Sequence, residues 1–245
     1  MTFIEIIRPV NILIVFASVL VGGWVGREIF YHLPLLIAAF VTSLSMGFGN
    51  IINDYFDLEN DKINHPGRPL PSGRIDRHTA LIYGILLVVI ALLLSLWLGI
   101  LFLLITISAN FVLFYYAYRL KNSFFSNTIV ALLCSLAFIM GGLVTKNLLA
   151  VFPAAFAFFF HYAREIVKDV FDMKGDKTSK TRSLALTIGP VNALRFAANV
   201  LLILIILLPL PVILGQFRLP YLIAALVGLI PLLIFIVVKL LKQPE

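Results

Sequence analysis

The chain has 245 residues, 61% of them apolar and only 13% charged, with 19 Lys and Arg against 12 Asp and Glu. An average soluble domain is about 45–50% apolar and about 25% charged, so this excess excludes a globule that hides its apolar surface in one core. The bilayer is the solvent for much of the chain, and no nucleic-acid partner and no obligate protein partner are expected.

A spanning helix needs about 20 mainly apolar residues. Segments of that kind follow one another along the chain, at 10–26, 33–53, 79–98, 99–118, 124–145, 148–168, 187–210 and 219–241. The runs are continuously apolar and do not alternate, which favours helices over a barrel, and in lipid a helix satisfies its own backbone hydrogen bonds. Val10–Gly26 is read as the first span and not as a leader, because it is long and a second apolar span follows. No polar loop separates the third and fourth spans, and Gly99 is the expected break. The expected fold is an all-α membrane protein, a bundle of eight spans around a central cavity, forming one domain over 1–245. Helices 2 and 6 each run into an acidic cluster and then a basic loop, so a weak duplication into halves 1–118 and 119–245 is also expected.

With the N-terminus on one side of the membrane, that side receives Arg8, Lys62, Arg68, Arg74, Arg77, Arg119, Lys121, Lys168, Lys174, Lys177, Lys180, Arg182, Lys239 and Lys242. The other receives Arg27, Lys146 and Arg218. The bias towards Lys and Arg makes the first side cytoplasmic. The single cysteine, Cys134, lies in an apolar stretch and has no CxxC or His/Cys cluster around it, so it reads as a small buried residue.

Most of the acids fall in two short clusters at cytoplasmic helix ends, Asn53 to Asp61 and Glu165 to Asp176. Asn53, Asp57 and Asp61 stand at i, i+4 and i+8. Asp172 and Asp176 stand at i and i+4, with Asp169 one turn earlier. Residues so spaced share a helix face, so each set forms a stripe of oxygens wherever its helix continues through the motif. Stacked like charges repel, and ionisable groups at membrane helices are costly and mark function. A cation between the stripes relieves the repulsion. Hard oxygen ligands suit Mg²⁺, which takes one or two carboxylates and completes its shell with water and substrate phosphate oxygens. The bases Arg68, Arg74, Lys121, Lys168 and Arg182 can approach the same zone and bind phosphate, although the inside bias alone also places bases there.

At these residues the chain resembles the UbiA superfamily of membrane prenyltransferases. The N-D-x-x-D-x-x-x-D pattern is met by Asn53, Asp54, Asp57 and Asp61, and is followed by Arg68-Pro69-Leu70-Pro71-Ser72-Gly73. The K-D-x-x-D-x-x-G-D pattern is met by Lys168, Asp169, Asp172, Gly175 and Asp176. Arg8-Pro9 and the stretch Tyr118 to Lys121 also resemble family positions. The similarity runs over about residues 8–190. It implies a helical bundle whose acidic motifs bind Mg²⁺ and an isoprenyl diphosphate at the cytoplasmic mouth. Asn53, Asp57, Asp61, Asp169, Asp172 and Asp176 are then the metal residues, and Arg68, Lys121 and Lys168 the diphosphate residues. The catalytic candidates are Asp54, Asp57 and Asp172, with Asp54 the candidate base. Family members usually have nine spans, and a ninth would follow Lys242.

The wording around both motifs is similar to the archaeal ether-lipid branch, which transfers a geranylgeranyl group to the hydroxyl of geranylgeranylglyceryl phosphate. The expected partners are therefore an isoprenyl diphosphate, a lipid acceptor and the membrane lipids. Aromatic faces at Tyr115, Tyr116, Tyr118 and the run Phe156 to Phe160 are candidates to stabilise an allylic cation, although packing explains the Phe run more simply, and His161 reads more simply as a hydrogen-bonded helix residue than as a base. An aromatic acceptor for quinone synthesis is the alternative within the family. A divalent-cation carrier is the alternative outside it, but carrier sites lie near the midplane and these acids lie at helix ends.

Overall fold

The computed structural model describes residues 1–26, 33–121, 123–176 and 184–242, with Asp172, Lys174, Gly175 and Asp176 described by their backbone. The described residues hold seven helices long and apolar enough to cross a membrane, and one shorter apolar helix, Pro9–Trp24. The elements are α1 Thr2–Ile6, α2 Pro9–Trp24, α3 Leu33–Phe56, α4 Leu58–Asn64, α5 Arg77–Leu98, α6 Ile100–Tyr115, α7 Ser126–Thr145, α8 Val151–Asp176, α9 Leu184–Ile188, α10 Pro190–Leu207, α11 Leu210–Ile213, α12 Leu219–Ala224 and α13 Ile230–Leu241. Single π-helical turns at Tyr116–Leu120 and Ala225–Leu229 extend α6 and join α12 to α13.

These spans follow the apolar runs closely. The chain breaks between the third and fourth spans at Gly99, where φ is +116°, a backbone state that glycine adopts without a Cβ penalty. Asp76 caps α5 by accepting a hydrogen bond from the Thr79 amide at 2.9 Å, and that bond holds its carboxyl below the ordinary carboxylate range. The largest departure is α8, which continues past the expected end of its span to Asp176.

The chain divides into two compact units, Met1–Lys121 with Ala137–Ala150, and Asn122–Leu136 with Val151–Glu245. In the first, α3 packs against α2, α5 and α6. Lipid tails are as apolar as leucine, so close backbone approach and interhelical hydrogen bonds hold helices together. Both are present. The Asn110 amide on α6 donates to Ser45 Oγ on α3 at 2.9 Å, and Ser95 on α5 meets Thr106 on α6 at 3.1 Å. A Cβ on Gly22 would lie 2.0 Å from the Phe138 carbonyl oxygen, and one on Gly141 would lie 1.9 Å from that of Val19. Only glycine permits that approach of α2 to the second half of α7. Asn147 then donates to the Val25 carbonyl at 2.8 Å, satisfying an orphan acceptor at the end of α2.

The second unit is built on α8, α9, α10 and α13, whose buried side chains are largely small: Ala163, Ala185, Ala193, Ala197 and Ala198, with Ile166, Leu201, Leu204, Leu233 and Val237. Phe156, Phe159 and Tyr162 pack against this core. Pro209 and Pro211 interrupt the helix after Leu207, and the Tyr221 hydroxyl donates to the freed Leu208 carbonyl at 2.9 Å.

Candidate active site

The first acidic motif lies where α3 ends and α4 begins. The helix bends at Asp57, with φ −88° and ψ 3°, so it does not continue unbroken through the motif as the spacing suggested. The hydrogen-bond ladder nevertheless keeps its register. The Asp57 amide donates to the Asn53 carbonyl at 3.0 Å, that of Asp61 to Asp57 at 2.8 Å, and that of His65 to Asp61 at 2.8 Å. Every step is i to i−4, so Asn53, Asp57 and Asp61 remain on one line of the backbone despite the bend.

Each carboxylate on this segment has a cation. Asp54, 1% exposed, pairs with Arg8, and its Oδ1 lies 3.6 Å from Arg68 Nη1. Asp61, 5% exposed, accepts from Arg68 Nη1 at 2.6 Å. Asp57 pairs with Lys121. A buried carboxylate costs several kcal/mol unless it is paired and hydrogen-bonded, so these contacts are what let the acids sit at the end of a membrane helix.

Three local devices deliver the bases. The segment Arg68-Pro-Leu-Pro-Ser-Gly folds into a tight loop, in which the Ser72 amide donates to the Arg68 carbonyl at 3.0 Å and Gly73 takes φ +73°. Leu70 and Ile75 anchor it in a buried cluster with Ile6, Ile51 and Ala80. The π-helical turn Tyr116–Leu120 carries Lys121, whose amide donates to the Tyr116 carbonyl at 2.9 Å. This wide turn, of a kind found often at functional sites, rotates Lys121 relative to a regular helix. Arg8 stands immediately before Pro9 in the left-handed region, with φ 56° and ψ 78°. That conformation costs about 1–3 kcal/mol in a non-glycine residue and persists where surrounding contacts impose it. One such contact is the Asn50 amide, which donates to the Ile7 carbonyl at 2.8 Å.

The second motif rides on α8. Its helix runs unbroken through positions 165, 169, 172 and 176. The Asn127 amide on α7 donates to Asp169 Oδ2 at 2.8 Å. Glu165, 7% exposed, lies 2.5 Å from Arg164 and 3.8 Å from Lys168. The side chains of Asp172 and Asp176, and the whole of Arg182, lie outside the described residues.

Arg8, Asn50 and Asn127 are site neighbours that the spacing argument did not select. Arg8 and Asn127 pair with acids 46 and 42 positions away; Arg8 is marked by the Arg8-Pro9 resemblance, whereas no local pattern announces Asn50 or Asn127. Arg74 has a different task. It donates to both oxygens of Glu5 at 2.5 and 2.8 Å, to the Gly67 carbonyl at 2.5 Å and to Ser72 Oγ at 3.0 Å, which commits it to bracing the loop against α1. Tyr118 packs with Phe56 and Phe114 at centroid distances of 5.4 and 6.2 Å, so it neighbours the first motif. Phe158 stacks on Tyr162 at 5.9 Å, consistent with packing as the role of the Phe run.

Among the described residues, no three His, Cys, Asp or Glu side chains gather closely enough to form a metal cage by themselves. Mg²⁺ takes one or two carboxylates and fills its shell with water and phosphate oxygens. Asn53, Asp57 and Asp61 supply oxygen donors of that hard type on one line.

Comparison with known proteins is consistent with this geometry. The chain is 38% identical to the digeranylgeranylglyceryl phosphate synthase of Methanococcus aeolicus, over 99% of this chain and 88% of that one. A solved structure of a digeranylgeranylglyceryl phosphate synthase superposes with a TM-score of 0.82 at 35% identity, covering 100% of this chain and 88% of the other. A UbiA homologue from Archaeoglobus fulgidus, solved bound to DMAPP and Mg²⁺, has the same fold with a TM-score of 0.76 at 20% identity, over 98% of this chain and 86% of its own. Residues 14–245 match the UbiA prenyltransferase family, and the chain belongs to that family.

Proposed function

We propose that this multi-pass membrane protein transfers a geranylgeranyl group from its diphosphate to the free hydroxyl of geranylgeranylglyceryl phosphate, in a Mg²⁺-dependent reaction of ether-lipid synthesis. The observation that carries the reading is the line Asn53, Asp57 and Asp61 with Lys121 and Arg68 on its carboxylates, in a chain 38% identical along its length to an enzyme of that name. Asn53, Asp57, Asp61, Asp169, Asp172 and Asp176 would hold Mg²⁺, and Arg68, Lys121 and Lys168 would bind the diphosphate. Both motifs would face the cytoplasm, in keeping with the excess of Lys and Arg in the loops on their side.

Bound Mg²⁺ would act as a Lewis acid on the diphosphate oxygens and make it a better leaving group. Arg68 presents a planar fork suited to phosphate, and Lys121 a mobile point charge. Both are partly exposed, at 29% and 35% of their side chains, so each can keep its carboxylate and still reach an anion. As the allylic C–O bond breaks, its electron pair leaves with the diphosphate and positive charge develops on the prenyl carbon. Apolar surroundings would keep water from capturing that carbon, and the packed rings of Phe56, Phe114 and Tyr118, Phe56 being next to Asp57 in the chain, would offer aromatic faces to stabilise it. The acceptor oxygen then forms the new C–O bond and loses its proton.

A product assay tests the reading. Purified protein in lipid receives geranylgeranyl diphosphate and Mg²⁺, with geranylgeranylglyceryl phosphate in one arm and aromatic acceptors in another. An ether-linked lipid product in the first arm alone is expected. Product with aromatic acceptors alone would overturn the acceptor and leave the family intact.

A further inference from the structure

We infer that Arg164 holds the phosphate of the acceptor lipid and so selects a phosphorylated glycerol lipid over the same lipid without its phosphate, with the buried Glu165 as its positioning residue; this rests on the prenyl-transfer reading of the site. The span Leu148–Phe171 carries His161, Arg164, Glu165, Lys168 and Asp169 towards its second-motif end. Ionisable groups inside a membrane helix are costly and persist where they have a function. Glu165, 7% exposed, accepts from Arg164 Nη1 at 2.5 Å. The Arg164 side chain is nevertheless 56% open. A guanidinium carries five N–H donors, and those not turned to Glu165 remain for an anion that matches the planar fork. An arginine kept only to reach the headgroup layer would need no buried carboxylate beside it. His161, one turn before Glu165, keeps Nδ1 buried without a hydrogen-bond partner, so the same stretch of α8 has a second polar atom left for a ligand.

Depth assigns the anion. The helix runs unbroken from Val151 to Asp176, so Arg164 stands about 12 Å, or about two turns, from Asp172 along the axis. It is therefore deeper in the span than the metal positions of the second motif. The prenyl chain of the donor must run from the diphosphate into the apolar part of the span, so the carbon under attack lies on the apolar side of those positions. The acceptor hydroxyl must come to that carbon, and it brings a phosphate on the next carbon of its glycerol. A cation for that phosphate is needed deeper than Asp172 and still close to it, which is where Arg164 stands. An acceptor without a phosphate would give the Arg164–Glu165 pair nothing to hold.

The test uses the full chain in lipid nanodiscs, with geranylgeranyl diphosphate, Mg²⁺ and two acceptors, geranylgeranylglyceryl phosphate and geranylgeranylglycerol. The wild type should prefer the phosphorylated acceptor in kcat/KM, and Arg164→Gln should lower that preference about tenfold to a hundredfold. The donor KM should change far less. Arg164→Lys, which keeps the charge and loses the fork, should recover part of the preference. Glu165→Gln should lower it by a smaller factor, because the guanidinium keeps its charge and loses its anchor. Discs of neutral and of anionic phospholipid separate the acceptor's phosphate from bulk headgroups, and the loss of preference should be the same in both. An active Arg164→Gln that keeps the wild-type preference overturns the inference. So does a donor KM that rises as much as the acceptor KM, which would make Arg164 a diphosphate ligand, or a loss of preference confined to anionic discs, which would make it a headgroup ligand. If Arg164→Gln does not fold because Glu165 is left unpaired, the double variant Arg164→Gln/Glu165→Gln removes both charges and decides by the same ratio. A wild type that transfers equally to both acceptors overturns the inference and leaves prenyl transfer standing. A wild type that transfers to neither lipid defeats the proposed function itself, and this inference with it.

Discussion

The two acidic motifs stand at comparable helix ends and solve the same electrostatic problem differently. In the first, the helix bends at Asp57 and the described carboxylates are met by cations: Arg8, Arg68 and Lys121. In the second, α8 runs straight through, Asp169 accepts from the neutral amide of Asn127, and Glu165 is paired with Arg164 and Lys168. The first motif therefore carries its counter-charges with it and is organised before any ligand arrives. The second depends on the register of one unbroken helix to align its acidic positions.

The sharpest way to break this contrast is to neutralise one acid from each motif. Asp57→Asn and Asp172→Asn should each lower transfer about a thousandfold, since metal-assisted departure of a leaving group is worth several kcal/mol and each tenfold is about 1.4 kcal/mol. Membrane insertion and helicity should not change. Steady-state rates of the purified variants check this, and full activity of Asp57→Asn would remove the metal site assigned to the first motif.

Counter-charge removal has the next largest effect and separates the motifs. Lys121→Met leaves Asp57, with 12% of its side chain exposed, without its cation. Hydrogen bonds to charged groups are worth about 1.5–3 kcal/mol, so a rise of about tenfold to a hundredfold in donor KM is expected. Asn127→Ala removes a neutral donor from a half-exposed carboxylate, and about 1 kcal/mol, or about fivefold, is expected there. Equal losses in the two variants would erase the distinction between a clamped motif and a register-held one.

Sequence reasoning reached the parts of this molecule that are local. Span positions follow from runs of apolar residues, and the Gly99 break from the one residue type that takes φ +116° freely. The backbone register of both acidic motifs follows from i, i+4 spacing. The clamps were not legible. The Lys121–Asp57 pair joins positions 64 apart and depends on a π-helical turn that has no clear sequence signature. The burial of Asp54 beside Arg8 and Arg68 is a tertiary fact that its place in the motif does not show. Arg74, among the bases able to approach the phosphate zone, instead spends its donors on Glu5, Gly67 and Ser72, a role no local pattern shows. The bend at Asp57 is equally silent in the sequence, and it changes little because the backbone ladder survives it.

That Arg74–Glu5 brace gives the smallest effect and the one with a defined pH window. The Arg74 hydrogen bond holds the Glu5 carboxyl below its ordinary value of 4.5, and the same contact raises the Arg74 guanidinium. A carboxyl whose pKa is depressed on folding adds stability above its unfolded value and loses it as pH falls through the folded one. Arg74 stays protonated throughout that window, so Glu5 alone sets it. The gap in Tm between the wild type and Glu5→Gln should therefore be present at pH 7, begin to close below about pH 4.5, and vanish at still lower pH. Both groups are exposed at the surface, so the gap will be small and should shrink further in high salt. A gap that stays constant from neutral to acid pH would mean that the brace works by packing its loop against α1, and the first motif would then owe none of its order to that exposed charge pair.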